Sequence, residues 1–114
     1  MGLDQHAYAS HFEGEEQFEI CYWRKHANLQ GWMERLWYSK GYGKNPEEIF
    51  NCRHLELTYE DLKNLEREHN NLPLATGFFW GISTSDDIVK TASFIVKAKE
   101  MIKKGYKIYY FCSY

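Results

Sequence analysis

Arg24, Lys25 and His26 are consecutive, and Asn28 follows at the head of a segment in which Leu29, Trp32, Met33, Leu36 and Trp37 recur at helical spacing. A guanidinium fork, an ammonium and an imidazole beside the open N–H groups of a helix start make a receptor for phosphate or carboxylate oxygens. Asn28 is the predicted N-cap, and Gly31 would let a ligand approach the helix closely. Trp23, Trp32 and Trp37 supply indoles on which a base could stack. The predicted ligand-binding set is therefore Arg24, Lys25, His26, Asn28, Trp23, Trp32 and Trp37. A purely structural reading covers the same residues: Arg24 and Lys25 pair with Glu19 or Glu34, Asn28 only caps, and the indoles fill a core.

The sequence points to no catalytic set. Cys21 and His26 would act as nucleophile and base only if a strand end and the following turn brought them into hydrogen-bond reach, and strand alternation gives no reason for that. Glu47, Glu48, Glu56, Glu60 and Asp61 span a loop and a helix start rather than one metal-binding constellation. Cys21, Cys52 and Cys112 are odd in number, and none sits in a CxxC or a Cys/His pair with zinc spacing. No metal, cofactor or disulfide framework is expected, and a binding protein is favoured over an enzyme.

The elements that must position these residues read as follows. Leu3–Phe12 alternates like a half-buried strand, Glu13–Gln17 connects, and Phe18–Arg24 is a second strand that pairs with the first as a hairpin. Helix one follows from Asn28 until Gly41 and Gly43 interrupt it. Asn51–Leu57 is a short strand. Thr58 with Asp61 opens helix two, whose buried stripe is Leu62 and Leu65. Pro73, Gly77 and Gly81 mark a loop leading to a three- or four-residue strand around Phe78, Phe79 and Trp80. Asp86 and Asp87 begin helix three, with Ile88, Ala92, Ile95, Ala98 and Ile102 on one face, and Tyr106–Tyr114 closes as a strand. This order predicts one α+β domain over 1–114, with about three helices on one face of a mostly antiparallel sheet.

Composition bounds the partners. A formal charge of −2 over 114 residues gives no basis for nucleic-acid binding. Charge is uneven, however: Arg24 to Lys44 holds five basic residues against Glu34 alone. Four Trp and nine Tyr exceed what one small core is expected to hide, which predicts a homodimer through an edge strand or helix one. The run GFFWG, Gly77 to Gly81, would make a compact anchor for a protein partner if its rings protrude. No apolar stretch is long enough for a membrane span, and the N-terminus lacks a signal-peptide pattern, so a cytoplasmic location and no membrane partner are expected.

Together, GLDQHAYA, YWRKHANLQGWMERLW, FNCRHLELTYEDL and NLPLATGFFWG resemble a family of small bacteriophage-encoded proteins, in order along nearly the whole chain. Its most specific motifs are GLDQ and YWRKH-NL-GWME, and His6 departs from it where Tyr is more usual. Members are often labelled phosphoglycerate kinase. The chain has no Gly-rich phosphate loop ending in GK[ST], and it is too short for the two hinged domains of that reaction. The resemblance implies a phage accessory protein in the host bacterial cytoplasm and supplies no catalytic residues. Three functions then stand as expectations: a counter-defence module that sequesters an anionic nucleotide-derived molecule, a protein that inhibits or redirects a host enzyme, and a small nucleotide hydrolase.

Overall fold

The computed structural model describes residues 2–11, 16–77 and 80–114. Strands β1 (Asp4–Ser10) and β2 (Phe18–Arg24) form the expected antiparallel hairpin, with a register shift between Ala7 and Tyr8. They are followed by α1 (Ala27–Ser39), β3 (His54–Leu57), α2 (Tyr59–Glu68), α3 (Ser85–Lys103) and β4 (Lys107–Ser113). The sheet runs β2-β1-β4-β3 with every neighbouring pair antiparallel, so the class is α+β.

Period-two alternation gives the sheet two unlike faces. Gln5, Ala7 and Ala9 of β1, Leu55 and Leu57 of β3, and Ile108, Tyr110 and Cys112 of β4 are buried. All but Gln5 join Leu29 and Met33 of α1, Leu62 and Leu65 of α2, and Phe94, Ile95 and Ala98 of α3 in one core cluster. Ala7 lies in register between Cys21 and Tyr110, and on the same core side the Trp23 and Tyr110 ring centroids are 6.3 Å apart. Each large aliphatic side chain so buried contributes about 1.5 to 3 kcal/mol. The opposite face carries a carpet of rings: His6 stacks on Tyr8 with centroids 5.7 Å apart, and His54 lies 4.7 Å from Phe111.

The starts of α2 and α3 are local. Thr58 accepts from Asp61 N–H at 3.1 Å while the Asp61 carboxylate accepts from Thr58 N–H at 2.9 Å. Thr84 and Asp87 repeat the arrangement at α3. These reciprocal bonds satisfy two of the donors that a helix start leaves open.

Other expectations are corrected. The described residues 80–84 form no strand, and among the described residues the sheet has four strands; Phe78 and Phe79 of the expected short strand lie outside the described residues, as does the hairpin connection through Glu15. On α3, Ile95 and Ala98 are buried, but Thr91 and Phe94 complete that face while Ile88, Ala92 and Ile102 are only partly covered. The reason is Trp23, whose indole N–H donates to Thr91 Oγ1 at 3.1 Å and whose ring meets Phe94 edge-on at 5.0 Å. All four indoles are hidden, none more than 8 % exposed, whereas Tyr22, Tyr38, Tyr42 and Tyr59 remain exposed, so the expected surplus of rings holds for tyrosines and not for tryptophans. Among the described residues, no helix is long and apolar enough to cross a membrane.

Candidate functional site

The predicted ligand-binding residues separate in space. Trp23, Trp32 and Trp37 all belong to the core; only Trp32 reaches a cavity, one it lines with Arg35 and Leu36 away from Arg24, Lys25 and His26. Arg24, at the end of β2, points to the open sheet face and donates to Asp4 Oδ1 at 2.9 Å. The Tyr22 hydroxyl donates to the same oxygen, and these bonds, Tyr22 first, hold the Asp4 carboxyl below its ordinary value. Lys25 takes a left-handed φ of 61° and donates its N–H to the Leu3 carbonyl at 2.9 Å. That turn lays its stem over Gly81, where an added Cβ would fall 2.8 Å from Lys25 Cδ. Gly31 gives no ligand access, because Ala75 occupies that side: a Cβ on Gly31 would meet Ala75 Cβ at 2.5 Å.

Asn28 is not the cap. α1 begins at Ala27 with His26 at the cap position, and no cap side-chain bond comes from His26 itself. Two distant side chains take that role. The Gln5 amide brackets the His26 backbone, accepting from its N–H at 2.8 Å and donating to its carbonyl at 3.0 Å. Ser83 Oγ accepts from Asn28 N–H at 2.9 Å. The Asn28 side chain is thereby released to accept from Ala75 N–H at 3.0 Å, which ties down the loop that precedes α3.

Behind the α1 start, a polar chain runs through the core. The same Gln5 Nε2 donates to the Tyr110 hydroxyl at 2.9 Å, Tyr110 donates to Gln30 Oε1, and Gln30 Nε2 reaches Cys112 Sγ at 3.3 Å. Buried amides and hydroxyls are tolerated only when bonded, and this chain bonds each in turn. Its low-dielectric surroundings push the Tyr110 hydroxyl well above its ordinary value.

His26 and Asn28 border a cavity of about 240 Å³ with His69, Asn70, Leu72, Ser83, Thr84, Ser85 and Ile88. Both the α1 and the α3 starts meet it. Ser83 Oγ lies 2.6 Å from His26 Nδ1. That oxygen also accepts the Asn28 N–H, and where its own proton goes to His26 Nδ1 the ring proton stands on Nε2. His26 is 1 % exposed, and burial pushes its pKa down to about 4 against the opposing pull of Asp87, so the ring is neutral at pH 7 and not the expected cation. Its Nε2 and the His69 Nδ1 are buried without a hydrogen-bond partner among the described residues. α1 has no acid in its first turn, whereas α3 has Asp86 and Asp87.

The remaining candidates lie elsewhere. Cys21 lines a groove between β2 and α3, away from the His26 cavity, and burial pushes its thiol up to about 11, so it is not an activated nucleophile. The Asp61 carboxylate is engaged by Lys40 at 2.6 Å as well as by its capping bond. Trp80, buried beside Tyr114 with ring centroids 5.7 Å apart, does not protrude as an anchor. Sequence reasoning missed Ser83 and His69, which carry no spacing signal toward His26. It also missed the ring carpet, although the alternation of β1 and β4 held that signal. Comparison with protein-family models, with curated proteins and with solved structures finds no match for this chain.

Proposed function

We propose that this chain is a small-molecule binding module that sequesters an anionic, nucleotide-derived molecule, gripping its phosphate or carboxylate in the cavity between the α1 and α3 starts. The observation that carries the reading is the pair of unpartnered imidazole nitrogens, His26 Nε2 and His69 Nδ1, on residues bordering one cavity. An unbonded buried polar atom costs about 1 to 3 kcal/mol, and in the tautomers that place a proton on these nitrogens a ligand oxygen would recover it. The start of α1, free of first-turn acids, adds a favourable field for a negative group. At about 240 Å³ the cavity suits a phosphate and part of a sugar, with the rest of the molecule at its mouth. The resemblance to phage-encoded proteins supports counter-defence in a host cytoplasm as the setting.

Binding is favoured over hydrolysis. Ser83 and His26 have the contact of a nucleophile and its base, but an imidazole with a pKa of about 4 is too weak a base to take an alcohol proton at neutral pH. The Asn28 N–H also draws on the oxygen lone pair that would attack.

Titration with linear and cyclic nucleotides, followed by amide and imidazole NMR shifts, tests the reading. Binding is expected to move His26, Asn28, His69 and Ser83, and His69→Ala to weaken it by about 1 to 2 kcal/mol. Shifts confined to Arg24 and Asp4 would move the site to the open sheet face. No response to any nucleotide, together with no small molecule released by heating protein purified from expressing cells, would remove the proposal.

A further inference from the structure

β2 is an edge strand: β1 pairs with one side of it, and no described strand pairs with the other. Along that free edge, Ile20, Cys21 and Tyr22 form one wall of a groove of about 400 Å³. The other wall is α3, through Lys90, Ser93, Phe94 and Lys97. An uncovered strand edge is a row of donors and acceptors ready to pair with an extended chain, and natural edges are commonly blunted by a lysine or proline in the strand. β2, FEICYWR, has neither; its only basic residue, Arg24, stands at its end and is bonded to Asp4.

The charge on the helix wall selects the occupant. Lys90 and Lys97 stand seven residues apart, about 10.5 Å along the helix, on the face toward β2. Both are exposed, and neither forms an ion pair among the described residues, although Lys40, Lys63 and Lys99 all do. Between them the groove floor is apolar, formed by Phe94, which is buried in the core, with Ile20 and Cys21 beside it.

We infer that the β2–α3 groove binds an acidic segment of another protein as an added strand. Main-chain bonds to β2 supply the pairing, and alternate side chains face α3. Successive inward positions of a strand are about 6.7 Å apart. An acid, an apolar residue and a second acid at alternate positions therefore set the two acids about 13.4 Å apart, within side-chain reach of lysines attached about 10.5 Å apart, with the middle residue over Phe94. The recognised pattern is acid-x-apolar-x-acid in extended conformation. A second copy of this chain fits less well, because two-fold pairing of β2 with itself would bring two pairs of lysines toward one another.

The test uses the full chain and a fluorescent seven-residue peptide with glutamate at its second and sixth positions, valine at its fourth and threonine elsewhere. Saturable binding is expected, with amide shifts on β2 and α3 and affinity that falls as salt is raised. The double substitution Lys90→Glu with Lys97→Glu, both at exposed positions, should weaken it by about tenfold or more. A peptide with lysine in place of glutamate should not bind, nor should one with proline at the fourth position. Equal binding by the lysine peptide, indifference to the double substitution, or no binding at millimolar peptide would overturn the inference. So would a stable dimer whose interface protects β2 amides from exchange.

Discussion

α1 and α3 begin beside the same cavity but are held in opposite ways. α3 carries its own cap, Thr84 with Asp87, within a single turn. α1 has no cap of its own and borrows one from β1 and from the loop before α3, through Gln5 and Ser83. A locally capped start persists wherever its helix forms. A borrowed one exists only when the tertiary structure has closed, so the polar groups left open around it become available to shape a cavity. The unpartnered His26 nitrogen belongs to the borrowed start.

The difference can be broken most forcefully at Gln5. Gln5→Leu leaves the His26 N–H without its acceptor and removes a donor from Tyr110 inside the core, and should cost about 3 to 4 kcal/mol in urea denaturation. A loss below about 1 kcal/mol would mean that α1 does not depend on β1 for its start.

Acid should press on the same place. Burial lowers the folded pKa of His26 from 6.5 to about 4, so between those values the unfolded chain takes up a proton that folded His26 does not. The contribution of a neutral His26 is therefore complete above about pH 6.5 and is lost as pH falls toward about 4, by an amount on the order of 2 to 3 kcal/mol. Burial pushes His54 in the same direction, so a His26→Gln variant measured beside the parent isolates the effect. Parallel stability curves for the two proteins over this range would show that His26 is protonated in the fold.

The smallest expected changes sharpen the comparison. Ser83→Ala should cost about 1 to 2 kcal/mol and Thr84→Ala about 1 kcal/mol. The two differ in location rather than in size: hydrogen exchange should quicken at Asn28 for the first and at Asp87 for the second. Matching exchange patterns would show that the two starts open as one unit.

What could be read in the residues follows the same division. Thr58 with Asp61, the alternation of β1 and the apolar ending of β4 are signals contained within a few positions, and each marks a real element. The cap of α1 is made by partners 21 and 55 positions away, and Tyr110 meets Gln30 across 80, distances at which spacing carries no information. Asn28 looked like a cap because its residue type suits that role, yet Ser83 had taken the task and Asn28 was used to hold Ala75. The indoles misled for another reason. Counting aromatic rings says nothing of how closely they pack, and Trp23 is taken up in the core by the Thr91 hydroxyl and the Phe94 ring.

The strand order has a consequence in time. β1 and β4 are central neighbours although they come from opposite ends of the described chain. On a ribosome adding roughly 5 to 20 residues per second, several seconds separate the emergence of β1 from that of its second partner. The β1–β2 hairpin can form during that interval, but the side of β1 that awaits β4 stays bare. Until β4 arrives, the nascent chain presents two open strand edges and an uncovered apolar face, and any factor that shields new chains would meet it in that window.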